Sequence, residues 1–427
     1  MSSPVDPAVI VQHPEIARLI ADKDPFTHLD ALQSLLDEAG TFRFQPLRSG
    51  LYAAAHLSER GGYTGYQHAW VRDNVQVAHA LWRSGKPEPA VAALKALLAF
   101  FARPSQGDRL QAIVDGTVDP RPAENRPHIR FDGERLAEVN EPWSHAQNDA
   151  LGYLLWLACR LTAAGLVTPN RAETETLVLL VRFFAAVRYW RDPDSGHWEE
   201  ARKIEASSIG VVVAALRALE AVVADGRLSL LTKPAKATVE GLLPFLITQG
   251  QSALRGILPN ESVERGHARA YDAALLFLIY PLDVIEPLCA DVIIANVGRY
   301  LEGERGIRRY LLDSFWCKDY PEKVKQNQRT ADVSHDIGWR DALVSLGDEA
   351  QWCIFDPILS VIHGRRFLAT GDIKARDRQV RHFHRALGQL TGADSGFAPL
   401  RCPELYYRAG EQWLPNDVTP LLWTQAN

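Results

Sequence analysis

The sequence is poor in cysteine and lacks the usual metal-binding spacings. Its 427 residues include five cysteines, an odd number, with no Cys-x-x-Cys pair among them. A disulfide framework or a zinc site is therefore not expected, and buried reduced thiols are. The histidines are dispersed and never take the His-Glu-x-x-His spacing. No metal ion and no other cofactor is predicted.

The sequence has no strong excess of charge of one sign and no long apolar run. The formal net charge of −5 gives no reason to expect a nucleic acid or an anionic membrane as partner. No window reaches the roughly 18 uninterrupted apolar residues that a membrane helix needs. The first residues, MSSPVDPAVIVQHPEIARLI, lack the basic stretch and apolar core of a secretory signal. A soluble, cytoplasmic protein is expected.

Three common catalytic signatures are also missing. The chain has no Gly-x-Ser-x-Gly, no Gly-x-Gly-x-x-Gly and no phosphate-binding P-loop. These absences argue against a serine hydrolase, a dinucleotide enzyme and a nucleotide triphosphatase.

Helical periodicity dominates what is there. Apolar residues recur at three- and four-residue steps, and several of these segments begin after Asp, Asn or Ser and stop at Gly. Strand-like alternation is limited to short pieces such as GIRRYLLDSF. With no linker or low-complexity run, the pattern predicts one all-α domain over residues 1–427, a toroid of helical hairpins. The helical segments span residues 74–85, 89–103, 148–165, 175–190, 206–226, 235–250, 268–282, 289–303 and 351–371.

Aromatic and polar side chains gather in the loops between these helices. Aromatic rings pack against the C–H faces of pyranoses, and Asp, Glu, Arg and Gln bind sugar hydroxyls. Hydrolysis of a glycosidic bond needs a protonated carboxyl for the leaving oxygen and a second carboxylate; in an inverting enzyme the two lie roughly 6.5–9.5 Å apart. These loops span residues 60–73, 117–147, 191–206, 254–270, 303–340 and 395–420.

Each motif has a simpler interpretation when taken alone. Arg72 and Asp73 could be a helix cap with a surface ion pair, and Glu199 with Glu200 could be a solvated acidic pair, since Asp and Glu are mostly exposed. Five of the six loops combine aromatic and acidic side chains at a helix edge, and this set favours a sugar site.

The ordered set of motifs resembles glycoside hydrolase family 15, the glucoamylase-like family. It is most similar to the branch with the amino-terminal domains of phosphorylase kinase α and β subunits and related bacterial proteins. The resemblance implies an (α/α)6 barrel with its active site in the loops at one end, and inverting release of glucose from non-reducing ends of α-glucans. The motifs are WVRDN (70–74), PWSHAQNDALG (142–152), HWEE with ASSIGVVVAALRAL (197–219), GIRRYLLDSF (306–315), QWCIFDPIL (351–359) and LYYRAG with NDVTPLLWTQA (405–426).

The same resemblance implies roles for individual residues. Glu199 matches the general acid, and Glu404 matches the general base, with Glu411 as the alternative base. The expected substrate-binding residues are Tyr66, Trp70, Arg72, Asp73, Trp143, Gln147, Trp198, Glu200, Arg309 and Trp423.

Two departures from the family pattern bear on function. Leu405 and Tyr406 stand where a glutamine usually follows the base, and the chain ends at Asn427, where the closing helix of the barrel is expected to continue. The phosphorylase kinase branch is regulatory. The alternative to a hydrolase is therefore a non-hydrolytic glucan-binding domain with a protein partner.

Overall fold

The computed structural model of the protein describes residues 9–21, 27–56 and 61–427. The expectation of no secretory signal falls partly on residues 1–8, which lie outside these ranges. Within them the chain is mainly helical. The α-helices are α1 Pro14–Leu19, α2 Leu29–Glu38, α3 Val71–Arg83, α4 Pro87–Phe101, α5 Pro104–Val114, α6 Asn148–Ala163, α7 Arg171–Val187, α8 Ala206–Ala224, α9 Lys233–Ile257, α10 Pro287–Asn296, α11 Tyr320–Lys323, α12 Gly338–Asp341, α13 Phe355–Thr370, α14 Ile373–Gly388 and α15 Leu422–Ala426.

Strands are short in the part of the chain that the structure describes. One antiparallel pair and one three-stranded antiparallel sheet, in the order β3-β4-β5, lie in the loops between helices. The strands are β1 Ala69–Trp70, β2 Arg130–Phe131, β3 Gln351–Trp352, β4 Leu405–Ala409 and β5 Gln412–Pro415.

The helices form an (α/α)6 toroid, which confirms the predicted fold class. The inner layer runs in sequence order through α3, α6, α8, a 3₁₀ helix at Ala273–Leu278, α13 and α15. It closes where α15 packs against α3 and where the ring of Trp423 stacks on that of Phe277 at 5.5 Å. Helices α4, α7, α9, α10 and α14 form the outer layer. Helices α1 and α2 pack near α14 through a second, smaller apolar cluster.

Local hydrogen bonding overrides the sequence pattern in two places. The periodicity of residues 268–282 predicts an α-helix, but only the 3₁₀ helix forms: the Asp272 carboxylate accepts a bond from the Ala274 amide at 2.9 Å, and Pro281 cuts the segment short. The alternation in residues 306–315 predicts a strand, but the structure has isolated bridges there, from Ile307 to Trp352 and from Tyr310 to Asp272.

The most apolar helix, α8, lies in the inner layer. By length and composition it could cross a membrane, yet 78% of its most apolar window is buried inside the protein, as in a core helix. Its Gly210 faces Leu278, and a Cβ at this position would lie 2.3 Å from the Leu278 Cδ2 atom. Close approach of α8 to the 3₁₀ helix therefore requires glycine.

The surroundings of Gly210 and Gly241 predict opposite effects of a Gly→Ala substitution on stability. Gly210→Ala should lower the free energy of unfolding by about 1–3 kcal/mol, because Leu278 is fully buried and cannot move aside. Gly241→Ala in α9 meets no atom within 4 Å and should raise it by up to about 1 kcal/mol through helix propensity. Urea denaturation of both variants measures the difference. Equal stabilities would show that Gly210 is not a packing constraint.

Candidate active site

A cavity opens among the loops at one end of the toroid. It has about 750 Å³ of empty space, including its open mouth. Of the thirteen candidate residues from the sequence, ten line it and three do not. Those that line it are Tyr66, Trp70, Arg72, Asp73, Trp143, Trp198, Glu199, Arg309, Glu404 and Trp423.

Glu199 is held by three donors on one carboxylate oxygen. Trp70 Nε1 lies 3.0 Å from Glu199 Oε1, Gln147 Nε2 lies 3.2 Å from it, and Arg72 Nη2 lies 3.3 Å from it. No donor among the described residues is recorded at Oε2. Because N–H groups occupy Oε1, the proton of the neutral acid belongs on Oε2. Burial raises the pKa of Glu199, while Arg72 acts in the opposite direction.

The loop that carries Glu199 is tightly constrained. Asp194 and Lys203 pair as an antiparallel bridge across it, and the Lys203 ammonium lies 2.5 Å from the Glu205 carboxylate. Gly196 has a φ of +53°, and a Cβ there would collide with Glu205. Glu199 itself has a φ of +59°, a backbone conformation that residues other than glycine rarely adopt. Such strain is concentrated at functional sites.

Glu404 stands immediately before β4 and is held at both oxygens. Tyr66 Oη donates to Glu404 Oε1 at 2.7 Å, and Asn416 Nδ2 donates to Oε2. Its backbone is fixed as well, since the Cys353 amide donates to its carbonyl at 3.0 Å. Burial raises the pKa of Glu404 to about 7, against the effect of its two hydrogen bonds.

The partner of Glu404 is not the residue next to it. Leu405 is fully buried, and Tyr406 Oη donates to the Gln389 carbonyl at 3.0 Å. The amide that a neighbouring glutamine was expected to supply comes instead from Asn416, after β5. The sequence around Asn416 contains no motif that indicates this role.

Glu411, the alternative base, lies outside the cavity. It stands on the turn between β4 and β5, with 85% of its side chain exposed, and it pairs with Arg408 at 2.7 Å and Lys318 at 3.6 Å. Of the two candidate bases, Glu404 is the one that faces the cavity.

Arg72 ties three segments to the cavity wall. Its Nη1 atom lies 2.6 Å from Asp149 and 3.0 Å from Gln147, both at the start of α6, and its Nη2 atom contacts Glu199. Gln147 is thus a partner of Arg72 and Glu199 rather than a lining residue. Asp73, in the first turn of α3, lines the cavity, and burial raises its pKa to about 7.

Glu200 lies behind the wall and does not line the cavity. Arg269 is 3.0 Å from its carboxylate and Arg309 is 3.3 Å from it, and Tyr310 Oη donates to it. Burial opposes its ionisation, but these arginines hold the pKa of Glu200 well below its usual value. The sequence predicts a contact between Glu200 and the sugar. In the structure the Glu200 carboxylate instead binds Arg309, and Arg309 lines the cavity.

Aromatic side chains form much of the remaining wall. Trp70 and Trp143 meet edge to face at 5.9 Å, and the Arg130 guanidinium lies 4.1 Å from the Trp143 ring. Trp198 donates to Asp272 at 2.9 Å, which fixes its ring. These rings offer platforms for pyranose faces.

Sequence reasoning missed lining residues in the loop of residues 303–340. That loop stood out for its length, but no motif distinguished single side chains in it. Arg340, in α12, lines the cavity and lies 3.6 Å from Glu200. The described residues contain no group of three His, Cys, Asp or Glu side chains placed to hold a metal ion.

The contacts of Glu404 predict the effect of removing one donor. Tyr66→Phe should raise the pKa of Glu404 above about 7, because the ionised carboxylate loses the hydrogen bond that stabilises it. Infrared difference titration of the carboxylates measures the shift. Tyr63→Phe serves as the matched control, since Tyr63 bonds to Asp417 rather than to Glu404. An unchanged or lowered Glu404 pKa in Tyr66→Phe would contradict this account.

Comparisons with known proteins agree with this fold. The family model of the glycosyl hydrolases family 15 matches residues 28–282. A wild-type glycosidase of known structure superposes with a TM-score of 0.65 at 21% identity, over 94% of this chain and 96% of its own. The glucoamylase of Saccharomycopsis fibuligera superposes with a TM-score of 0.54 at 12% identity, over 92% of this chain and 93% of its own. At these identities the structural likeness establishes the fold.

A relative found by sequence similarity is described as a kinase regulatory subunit rather than as a glycosidase. The chain is 26% identical over 402 residues to a probable phosphorylase b kinase regulatory subunit alpha of Caenorhabditis elegans. The match covers 84% of this chain but 30% of that protein. The chain therefore corresponds to less than a third of the length of this relative.

Proposed function

The chain belongs to the glycosyl hydrolases family 15, and we propose that it is an inverting exo-acting α-glucosidase that releases glucose from non-reducing ends of α-glucans or malto-oligosaccharides. The observation that carries this proposal is the presence of two carboxylates in one cavity, the buried Glu404 and the partly buried Glu199. Tyr66 and Trp70 connect them: Tyr66 bonds to Glu404, Trp70 bonds to Glu199, and the two rings are 5.3 Å apart. An inverting enzyme needs a carboxyl separation of roughly 6.5–9.5 Å, which leaves room for the attacking water.

Glu199 acts as the general acid. Its Oε2 atom gives a proton to the glycosidic oxygen as the bond from C1 to that oxygen breaks. The three donors at Oε1 then stabilise the carboxylate that forms. Burial raises the pKa of Glu199, which favours the protonated form that a general acid needs.

Glu404 acts as the general base. It takes a proton from a water molecule as the water oxygen bonds to C1 from the face opposite the leaving group, so that an α-glucoside yields β-glucose. Tyr66 and Asn416 orient its carboxylate. Arg72, Asp73 and Arg309 offer charged groups that bind the hydroxyls of the terminal glucose.

The two assigned roles predict the behaviour of three Glu→Gln variants. Glu199→Gln and Glu404→Gln should each lower kcat at least about a hundredfold on maltotriose, since each removes a proton-transfer group. Glu411→Gln is the control and should retain full activity. Proton NMR during wild-type turnover should show β-glucose first. An α-anomer as first product, or full activity of Glu404→Gln, would contradict the proposal.

The pKa of Glu404 predicts one limb of the pH profile. The base must be ionised and the acid protonated, so kcat/KM should show two limbs, one of them near pH 7, where Glu404 titrates. Burial raises the pKa of Glu199, whose titration sets the other limb. Initial rates across the pH range measure both limbs. A profile that stays level from about pH 5 to 8 would rule out Glu404 as the titrating base.

A second candidate function is a non-hydrolytic glucan-binding or regulatory domain with a protein partner. The observation that favours it is the match, across most of this chain, to a protein described as a kinase regulatory subunit. Saturable binding of maltotriose with no turnover, and with affinity unchanged by Glu404→Gln, would support this function over hydrolysis. Turnover that depends on Glu199 would exclude it as the sole role.

A further inference from the structure

The segment of residues 329–337, here termed the strap, lies along the rim of the cavity. Residues Thr330, Ala331, Asp332 and Val333 line the cavity, and Ala331 is exposed, which places this stretch at the rim. Further along, His335 lines a neighbouring cleft whose wall includes Trp143. Trp143 also lines the cavity itself. The strap thus extends from the side of Arg329 to the side of Trp143.

Arginine side chains anchor the two ends. At one end Arg329 Nη1 lies 3.2 Å from Asp417, which also accepts a bond from Tyr63 Oη at 2.7 Å. Arg329 donates as well to the carbonyls of Pro321 and Val324, at 3.0 and 3.3 Å. Beyond the other end, Arg340 donates to Ser314 at 3.1 Å and lies 3.6 Å from Glu200.

Among the described residues, the middle of the strap bonds within itself and to the adjacent Gln328, whose carbonyl accepts a bond from the Ala331 amide at 3.3 Å. The hydrogen bonds recorded within it are local: the Ser334 amide donates to Asp332 at 2.9 Å, and the Asp336 amide donates to the Val333 carbonyl at 3.1 Å. Val333 is buried and lines the cavity. A segment with firm ends and few bonds to the body opens at low cost compared with the barrel.

We propose that the strap is a size filter that makes short α-glucosides, of two or three sugar units, better ligands of the cavity than the chain ends of a polymeric glucan. This inference rests on the proposed function, because it requires that the cavity bind α-glucosides. When the terminal glucose of a glucan occupies the cavity, the rest of that glucan must extend out through the mouth, beside Ala331 and Asp332. A short saccharide fits beneath the strap, whereas a branched polymer must displace it and so loses binding free energy.

Release of the Arg329 anchor tests the filter by binding. The wild type and Arg329→Ala are titrated with maltotriose and with glycogen, at equal concentrations of non-reducing ends, and quenching of the cavity tryptophans is followed. The wild type should bind maltotriose about tenfold more tightly than glycogen ends, and the variant should reduce this ratio to about threefold or less. Asp417→Asn removes the same ion pair and should act likewise.

Arg408→Ala is the matched control. Arg408 pairs with the exposed Glu411 and lines no part of the cavity, so the variant should keep the wild-type ratio. Circular dichroism of each variant checks that the helices are intact, and Asp417→Asn decides if Arg329→Ala fails to fold.

The possible results separate the filter from the proposed function. Equal affinity of the wild type for both ligands, or a ratio unchanged in both strap variants, overturns the filter even if hydrolysis occurs. A ratio that shifts as expected without any turnover supports the filter and refutes the hydrolase. If neither ligand binds to any of the proteins, the cavity is not a sugar site and both proposals fall.

Discussion

The candidate site depends on the buried guanidinium of Arg72. It joins the start of α3 to the start of α6 through Asp149 and Gln147, and it joins both to the loop of Glu199. A buried cation is costly unless carboxylates and hydrogen bonds compensate for its lost hydration. Asp149, which is fully buried at 2.6 Å, provides that compensation. Two inner helices and one loop are therefore held in the register that gives the cavity its floor.

Burial also sets the chemistry of the two carboxylates. Both Glu199 and Glu404 have raised pKa values, since the cavity removes water from them, yet their partners differ. Glu199 has a cation and two neutral donors at a single oxygen, whereas Glu404 has one neutral donor at each oxygen. The first arrangement leaves one oxygen without a donor among the described residues. The second fixes the orientation of the whole carboxylate.

Glu200 shows how a neighbouring glutamate takes a separate role. It follows Glu199 directly, but its carboxylate points behind the wall, where Arg269, Arg309 and Arg340 surround it. Ionised and buried, it fixes Arg309, which lines the cavity, and Arg340, which lies just beyond the strap. The same carboxylate thus connects Arg309, in the cavity wall, to Arg340, beside the strap.

The sequence alone determined the helical toroid and most of the cavity. Apolar periodicity marked the main helices, and motifs at helix starts, such as WVRDN, identified side chains that the fold brings together, because a helix start fixes its loop against the core. Tertiary structure decided the rest. The sequence preferred Glu404 to Glu411 only through the family resemblance, because burial, not local pattern, distinguishes them. It could not reveal Asn416 or the strap, because their contacts join residues far apart in the chain. Nor could it place Glu200, since the left-handed backbone at Glu199 turns the next side chain away from the cavity.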